Sequence, residues 1–133
     1  MSSQKGGGHG VDLIAHLIAL EEWFALDPDV PYRPASLVRE GFVHCSLPAQ
    51  VARSANVHFA SHEALILVWF EAARLEQLVM EATSTVEPFP HVYAPLNLGD
   101  AHHIELLERS AGEPFRYGVE GVAAREKHRS CPS

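Results

Sequence analysis

Two short segments of this chain combine side chains that bind or react with prolines that restrict the backbone. The first, residues 41–48, contains a His-Cys-Ser run that begins at His44. The second, residues 89–96, contains His91 and Tyr93. Imidazole and hydroxyl groups donate and accept hydrogen bonds, and imidazole titrates near neutral pH. The two segments therefore predict a pocket for a small polar ligand.

Strand alternation separates the side chains of the first segment into two faces. In an extended strand Phe42, His44 and Ser46 share one face, and Cys45 points to the other. Phe42 could stack on a planar ring of the ligand, and His44 is expected to contact the ligand. The alternative is a core histidine whose ring is paired with a backbone carbonyl. Cys45 is predicted to be buried, reduced and not a nucleophile, because His44 cannot serve it as a base.

Four further polar residues are candidates for the same pocket. His16 lies among apolar residues of a predicted strand, where a buried imidazole needs a partner, and is expected to face a cleft. Arg33 precedes Pro34 in extended backbone and could hold a phosphate or carboxylate, or form a surface ion pair. His91 and Tyr93 project to one side if their segment is extended. The alternative is a tyrosine at the core edge and an exposed histidine.

These side chains must be positioned by a mixed set of elements. Apolar patterning predicts helices at 19–26 and 48–59, a single turn at 36–39 closed by Gly41, and a long loop at 83–98. Five strands are predicted at 11–18, 42–46, 64–70, 78–82 and 102–107. Strands outnumber helices without regular alternation, so the fold class is α+β.

Length and composition limit the organisation and the partners. One domain is predicted over residues 11–112, between a disordered tail at 1–10 and a polar tail at 113–133. The net charge of −7, from 17 acidic and 10 basic residues, argues against long nucleic acid but not against a single nucleotide. The longest apolar run, 64–70, is too short to span a membrane. Two cysteines and no signal peptide indicate a cytoplasmic protein.

Four motifs in the same order resemble the bacterial family catalogued as domain of unknown function 952. Its pattern has an Ile-Tyr-His-Ile-like strand, an Arg-Pro-x-Ser-Leu segment, a Gly-Phe-Ile-His-Cys-Ser strand and a Phe-Pro-His-x-Tyr loop. Here these motifs read Ile14-Ala15-His16-Leu17, Arg33-Pro34-Ala35-Ser36-Leu37, Gly41-Phe42-Val43-His44-Cys45-Ser46 and Phe89-Pro90-His91-Val92-Tyr93. The likeness covers residues 12–108. This chain departs from the pattern at three positions. Ala15 stands where an aromatic residue is common, and Ala94 stands where Gly is usual. Leu47 replaces a Thr that would cap the helix, so Ser46 is expected to cap it.

The resemblance implies an ADP-ribosylation-like fold, with two small, mainly antiparallel sheets around a cleft and flanking helices. Enzymes of that fold hold a nicotinamide dinucleotide in the cleft, so NAD or a related nucleotide is the implied cofactor or ligand. A transferase would use a carboxylate to stabilise the positive charge that develops on the ribose. Catalytic roles then fall to His44 and Glu81, with Glu87 as the alternative acid. Ligand binding falls to His16, Arg33, His44, Ser46, His91 and Tyr93.

Two other functions remain open at this point. The first is a binding module with the same cleft and no chemistry. The second is a metal-dependent hydrolase that uses His16, His44 and His91, although these three histidines are not in a His-x-x-x-His spacing, no Cys-x-x-Cys pair accompanies them, and no metal ligand is predicted. The neighbours His102 and His103 are expected to face opposite sides of a strand, and so not to share a metal.

Overall fold

The computed structural model describes residues 12–82 and 87–118. The predicted tail at 1–10 and residues 119–133 of the other tail lie outside the described residues. The strands are β1 (Leu13–Ala19), β2 (Val43–His44), β3 (Ala64–Glu71), β4 (Leu78–Glu81), β5 (Phe89–Val92) and β6 (His103–Glu108). The helices are α1 (Leu20–Phe24), α2 (Ala35–Glu40) and α3 (Val51–His58), and single 3-10 turns lie at Pro48–Gln50, Ala72–Arg74 and Leu98–Asp100.

The strands form two three-stranded antiparallel sheets. Sheet one has the order β1-β3-β6, and sheet two has the order β2-β5-β4. The prediction of an α+β fold with two small antiparallel sheets is confirmed. The central strand of sheet one is β3, the continuous apolar run that the sequence predicted to be buried. A strand with apolar neighbours on both faces cannot alternate, which explains its composition.

Two hydrophobic clusters cover the two faces of sheet one. The inter-sheet core joins it to sheet two and includes Ile14 and Val68 from one sheet and Val43 and Val92 from the other. On the opposite face, α3 packs against the odd-numbered residues of β1 and β3. Full burial of a large aliphatic side chain contributes about 1.5–3 kcal/mol, so these clusters determine how the two sheets are placed.

The boundary expected at residue 112 falls inside the packed region. Phe115 is 2% exposed and belongs to the cluster beneath α3. Its backbone N–H donates to Asn56 Oδ1 at 2.8 Å, and its carbonyl accepts from Asn56 Nδ2 at 3.0 Å. The guanidinium of Arg109 lies 5.2 Å from the centre of its ring. The packed domain therefore extends beyond residue 112 to Phe115. A single buried aromatic residue in a polar stretch gives no periodic signal, so the sequence pattern did not indicate it.

The predicted loop at 83–98 contains the central strand of sheet two, which is a second correction. The prolines of this region indicated a loop, yet β5 includes Pro90. In a strand the N–H and carbonyl of one residue point the same way, and the Pro90 carbonyl accepts from the N–H of Cys45 at 3.0 Å. The missing N–H of Pro90 therefore faces a position just beyond the end of β2, where the ladder stops.

The segment after β2 leaves sheet two and joins sheet one. Ser46 exchanges two backbone hydrogen bonds with Ala15 of β1, at 2.8 and 2.9 Å. The predicted strand at 42–46 is therefore divided, and only Val43–His44 pair with β5. This switch brings the edge strands β1 and β2 together and connects the two sheets.

The start of the predicted helix at 48–59 is capped by a residue other than the one expected. Ser46 Oγ bonds Ser54 Oγ at 2.8 Å and does not cap the helix. The side chain of Gln50 instead accepts from the N–H of Leu47 at 2.9 Å and donates to the carbonyl of Pro88 at 2.8 Å. A buried amide with these partners ties the start of α3 to the segment that enters β5.

Candidate functional site

Sheet two separates its side chains into an inner face and an outer face. Val43 and Val92 pair across β2 and β5 and lie in the inter-sheet core. Their neighbours His44 and His91 also pair, and by strand alternation they project from the other face. Two imidazoles on distant parts of the chain thus become cross-strand neighbours, with ring centroids 5.3 Å apart.

An outer cluster of five side chains forms around this pair; we use the name for Phe42, His44, Glu81, His91 and Tyr93. The ring of Phe42 stacks on the imidazole of His91, with centroids 4.0 Å apart and an interplanar angle of 18°. Phe42 also meets the edge of the His44 ring at 4.9 Å and the tilted ring of Tyr93 at 5.4 Å. Phe42 is thus the aromatic centre of the cluster.

Glu81 links two members of the outer cluster through one oxygen. Its Oε1 accepts hydrogen bonds from Nδ1 of His91 at 2.9 Å and from the hydroxyl of Tyr93 at 2.5 Å. These hydrogen bonds, that of Tyr93 first, lower the pKa of the Glu81 carboxyl below its ordinary value. The same hydrogen bond raises the pKa of the Tyr93 hydroxyl, because the hydroxyl must keep its proton to donate to the carboxylate. Glu81 is therefore a carboxylate at neutral pH.

The hydrogen bond to Glu81 determines which nitrogen of His91 is available. A carboxylate only accepts, so Nδ1 of His91 carries a proton and Nε2 is the remaining site. The side chain of His91 is 3% exposed, and Nε2 has no hydrogen-bond partner among the described residues. A buried imidazole held at one nitrogen by a carboxylate can accept a proton or a hydrogen bond at the other. The Glu81–His91 pair is thus the most chemically competent group of the cluster.

His44 is oriented by a second carboxylate. Its Nε2 lies 2.6 Å from Oε1 of Glu40, and the His44 side chain is half-exposed at 51%. Glu40 is the last residue of α2, and the chain reverses at Gly41, whose φ of 91° is left-handed. This αL cap turns the chain back so that Glu40 and His44 meet. Glu40 was not predicted to belong to the site. The feature of the sequence that could have indicated it is its spacing of four residues from His44.

His16 lies on the other side of sheet two from the outer cluster. It is 7% exposed, and its Nδ1 donates to the backbone carbonyl of His44 at 2.7 Å. Its ring lies 5.5 Å from that of Tyr32, whose hydroxyl donates to Glu22 at 2.8 Å. Burial lowers the pKa of His16 to about 4. The alternative considered for His44, a core histidine whose ring is paired with a backbone carbonyl, is therefore found at His16.

Ser46 and Arg33 also lie apart from the outer cluster. Ser46 is buried and bonds Ser54 on α3, on the side of sheet one. Arg33 is exposed and makes no hydrogen bond or ion pair within residues 12–82 and 87–118. The single cleft expected to contain His16, His44, Ser46 and His91 is thus not formed. The backbone of β2 separates the imidazole of His16 from that of His44, and the switch between sheets places Ser46 beside sheet one.

The two candidate acids lie in different places. Glu81 belongs to the outer cluster, whereas Glu87 pairs with Arg53 and accepts from Gln50 near the start of α3. No local pattern in the sequence indicates the partner of Glu81. His91 and Tyr93 lie two residues apart on a strand, and β4 places Glu81 opposite Phe89 on their face.

Two groups of histidines named from the sequence bear on metal binding. The three histidines of the hydrolase alternative do not converge, because the His16 ring occupies the inter-sheet core. His102 and His103 were expected to point apart, yet their Nδ1 atoms lie 2.7 Å from each other. His102 precedes β6, so strand alternation does not govern it. Across the described ranges no group of three or more His, Cys, Asp or Glu residues is arranged to hold a metal ion.

Cys45 is enclosed by the inter-sheet core and is a free thiol. Burial raises its pKa to about 12, so the thiol is protonated at neutral pH. A protonated, enclosed thiol is a poor nucleophile, in agreement with its predicted role as a small core residue. None of the helices in the described part of the chain is long and apolar enough to cross a membrane.

Comparison with solved structures identifies relatives of the same fold. The crystal structure of protein CC0527 from Caulobacter crescentus is 27% identical, with a TM-score of 0.68, covering 84% of this chain and 98% of that one. A crystal structure of a double mutant of CC0527 has 26% identity, a TM-score of 0.70 and the same coverage. The solution structure of CC0527 has 30% identity and a TM-score of 0.64, covering 74% of this chain and 87% of that one.

Family membership follows from the pattern of the sequence itself. No curated protein matches this chain. A family described as "Protein of unknown function (DUF952)" matches residues 17–104, a span that contains the whole outer cluster, all of sheet two and β3, together with the end of β1 and the start of β6. Because this match covers well over half of the chain, the protein belongs to the DUF952 family.

Proposed function

We propose that this domain is of the ADP-ribosylation type and binds a nucleotide-like small molecule, NAD or a related nucleotide, at the outer cluster. One observation carries the proposal: His91 is buried beneath Phe42, held at Nδ1 by Glu81, and left with an unpartnered Nε2 among the described residues. Buried polar groups cost free energy unless they are satisfied, and a ligand would satisfy this one.

The electrostatics of the outer cluster favour one part of such a ligand. Glu40 and Glu81 place two carboxylates beside aromatic rings, and among the described residues no Lys or Arg forms a hydrogen bond, ion pair or cation–π contact with the cluster. A phosphate would be repelled here, whereas a planar cationic ring gains both from the carboxylates and from the aromatic faces. The nicotinamide end of NAD has this chemistry. Arg33, which is exposed and has no partner among the described residues, is the phosphate partner in this proposal.

Transfer chemistry would divide the work between two residues. The Glu81 carboxylate would stabilise positive charge on the ribose as the bond to nicotinamide breaks. His91, held by Glu81, would take the proton of the attacking acceptor at Nε2, so that His91 and not the expected His44 is the catalytic histidine in this proposal. His44 would contact the ligand from the rim. The products are nicotinamide, the ADP-ribosylated acceptor and one proton.

Calorimetric titration with NAD, NADH, ADP-ribose and AMP tests the proposal. NAD should bind more tightly than NADH, because only NAD carries the cationic ring. His91→Gln should weaken NAD binding by about tenfold or more, the usual cost of a lost hydrogen bond to a charged or strongly polar ligand group. His58→Gln, on the exposed end of α3, is the matched control and should leave binding unchanged. Binding of no nucleotide below millimolar concentration would refute the proposal.

Turnover distinguishes the enzyme from the binding module with no chemistry. Release of nicotinamide from NAD by the wild type, lost in Glu81→Gln, supports a transferase or hydrolase. Binding with no release of nicotinamide supports the module. Glu108→Gln, an exposed acid at the end of β6, is the control for the change of charge.

A further inference from the structure

A groove of about 320 Å³ opens on the inner side of β5, the side opposite the outer cluster. Phe70 and Val92 of the inter-sheet core form its floor, and they are 3% and 2% exposed. One wall is the chain from the Ala72–Arg74 turn to Gln77, and the other is the segment 94–100 after β5. The hydrophobic core thus reaches the surface at the bottom of a concave site, the usual form of a small-molecule pocket.

Backbone hydrogen bonds hold both walls of the groove in place. The N–H of Tyr93 donates to the carbonyl of Gln77 at 2.9 Å and joins the walls at their base. The far wall is tied to the core where Leu96 and Tyr32 exchange two hydrogen bonds, at 2.7 and 3.0 Å. Asn97 then caps the turn that follows it. A groove that is formed before binding costs its ligand little ordering entropy.

The charges on the rim are mixed, and none of them is paired with another described residue. Arg74 is the single cation in the lining, beside the carboxylates of Glu71, Glu76 and Asp100. Arg74 nevertheless makes no hydrogen bond or ion pair in the part of the chain that the structure describes. Its guanidinium donors are therefore available to an anionic group. A purely anionic ligand would meet three carboxylates, and a purely cationic ligand would meet the guanidinium.

We propose that this groove binds a small zwitterion with an apolar body, of the free amino acid type. Its carboxylate pairs with Arg74, which suits bidentate recognition, and its ammonium group lies among the rim carboxylates. Its apolar side chain rests on the floor formed by Phe70, Val92 and Leu75. None of the residues predicted from the sequence to bind a ligand lines this groove, so the inference is independent of the function proposed for the outer cluster.

Three matched probes test the ligand chemistry by NMR titration of the ¹⁵N-labelled full chain. L-Leucine carries both charges, 3-methylbutylamine lacks the carboxylate, and 4-methylpentanoate lacks the amine. Leucine should give saturable shifts at the amides of Leu75, Ala94 and Asn97, and each truncated probe should bind about tenfold more weakly. L-Phenylalanine serves as a second zwitterion with a larger body.

Two variants test the role of the guanidinium. Arg74→Gln should reduce leucine binding to the level of 3-methylbutylamine, whereas Arg39→Gln, an exposed arginine outside the groove, should change nothing. Both are surface substitutions, and circular dichroism checks that the fold is kept. The inference is overturned if neither amino acid binds saturably, if the amine binds as well as leucine, or if the shifts map to Phe42 and His91 instead.

Discussion

Nδ1 of His16 donates a hydrogen bond to the backbone carbonyl of His44, 2.7 Å away, from inside the inter-sheet core. The carbonyl can only accept, so Nδ1 carries a proton, and the ring is neutral at pH 7 because burial lowers its pKa to about 4. The hydrogen bond fixes the backbone of β2 directly below the half-exposed imidazole of the outer cluster. One histidine of the family motif therefore supports the position of another from the opposite face of the sheet.

This burial predicts a stability that falls in mild acid. The pKa of His16 is about 4 in the folded state and 6.5 when unfolded, so above pH 6.5 neither state binds the proton. Between pH 6.5 and about 4 the unfolded state binds it and the folded state does not, and stability decreases as pH falls. The total loss from this group is about 3 kcal/mol.

Urea unfolding at pH 7.5, 6 and 5 measures the effect. His16→Gln keeps an N–H for the His44 carbonyl and does not titrate, so its stability should change less over this range. The exposed His58→Gln should follow the wild type. Equal losses in the wild type and His16→Gln would show that other groups control the acid response.

The Glu81 carboxylate should titrate differently once its strongest donor is removed. Tyr93→Phe deletes the hydroxyl that contributes most to the lowered pKa of Glu81, so that pKa should rise toward its ordinary value. Side-chain carboxyl ¹³C shifts followed against pH measure it. Tyr117→Phe removes a hydroxyl that donates to Glu105 and should leave Glu81 unaffected. An unchanged pKa in Tyr93→Phe would mean that the Tyr93–Glu81 contact is absent in solution.

Gly41→Ala should destabilise the protein by about 1–2 kcal/mol, the cost of a left-handed conformation for a residue with a side chain. A Cβ at Gly41 meets no atom within 4 Å, so the cost is conformational and not steric. Gly99→Ala is the matched control, because its backbone is not left-handed and its Cβ makes only ordinary contact with Asn97. Chemical denaturation of both variants measures the difference. Equal effects at the two sites would refute the role of the αL cap.

Phe115→Ala should cost about 3–5 kcal/mol, the range for a buried aromatic side chain. Phe24→Ala, at a position that is 76% exposed, should change stability little and is the control. Thermal and urea unfolding check both. A loss below about 1 kcal/mol for Phe115→Ala would restore the boundary expected at residue 112.

The fold class and most elements could be predicted from local pattern. The apolar run of β3 indicated a strand buried on both faces, and Pro48 marked the start of the helical segment that contains α3. The missed element is β5, because prolines at Pro88, Pro90 and Pro95 carry a strong local signal for a loop. Its strand character depends on pairing with β2 and β4, which no local window contains.

The candidate site shows the same division. The sequence alone determined the residue types of the outer cluster. It also determined the alternation that places His44 on the face opposite Cys45. Only the tertiary structure decided that Glu81 is the partner of His91, that His16 faces the core, and that Ser46 belongs with sheet one. The physical reason is that alternation assigns faces within one strand, whereas contacts between strands depend on register and on the switch between sheets at Ser46.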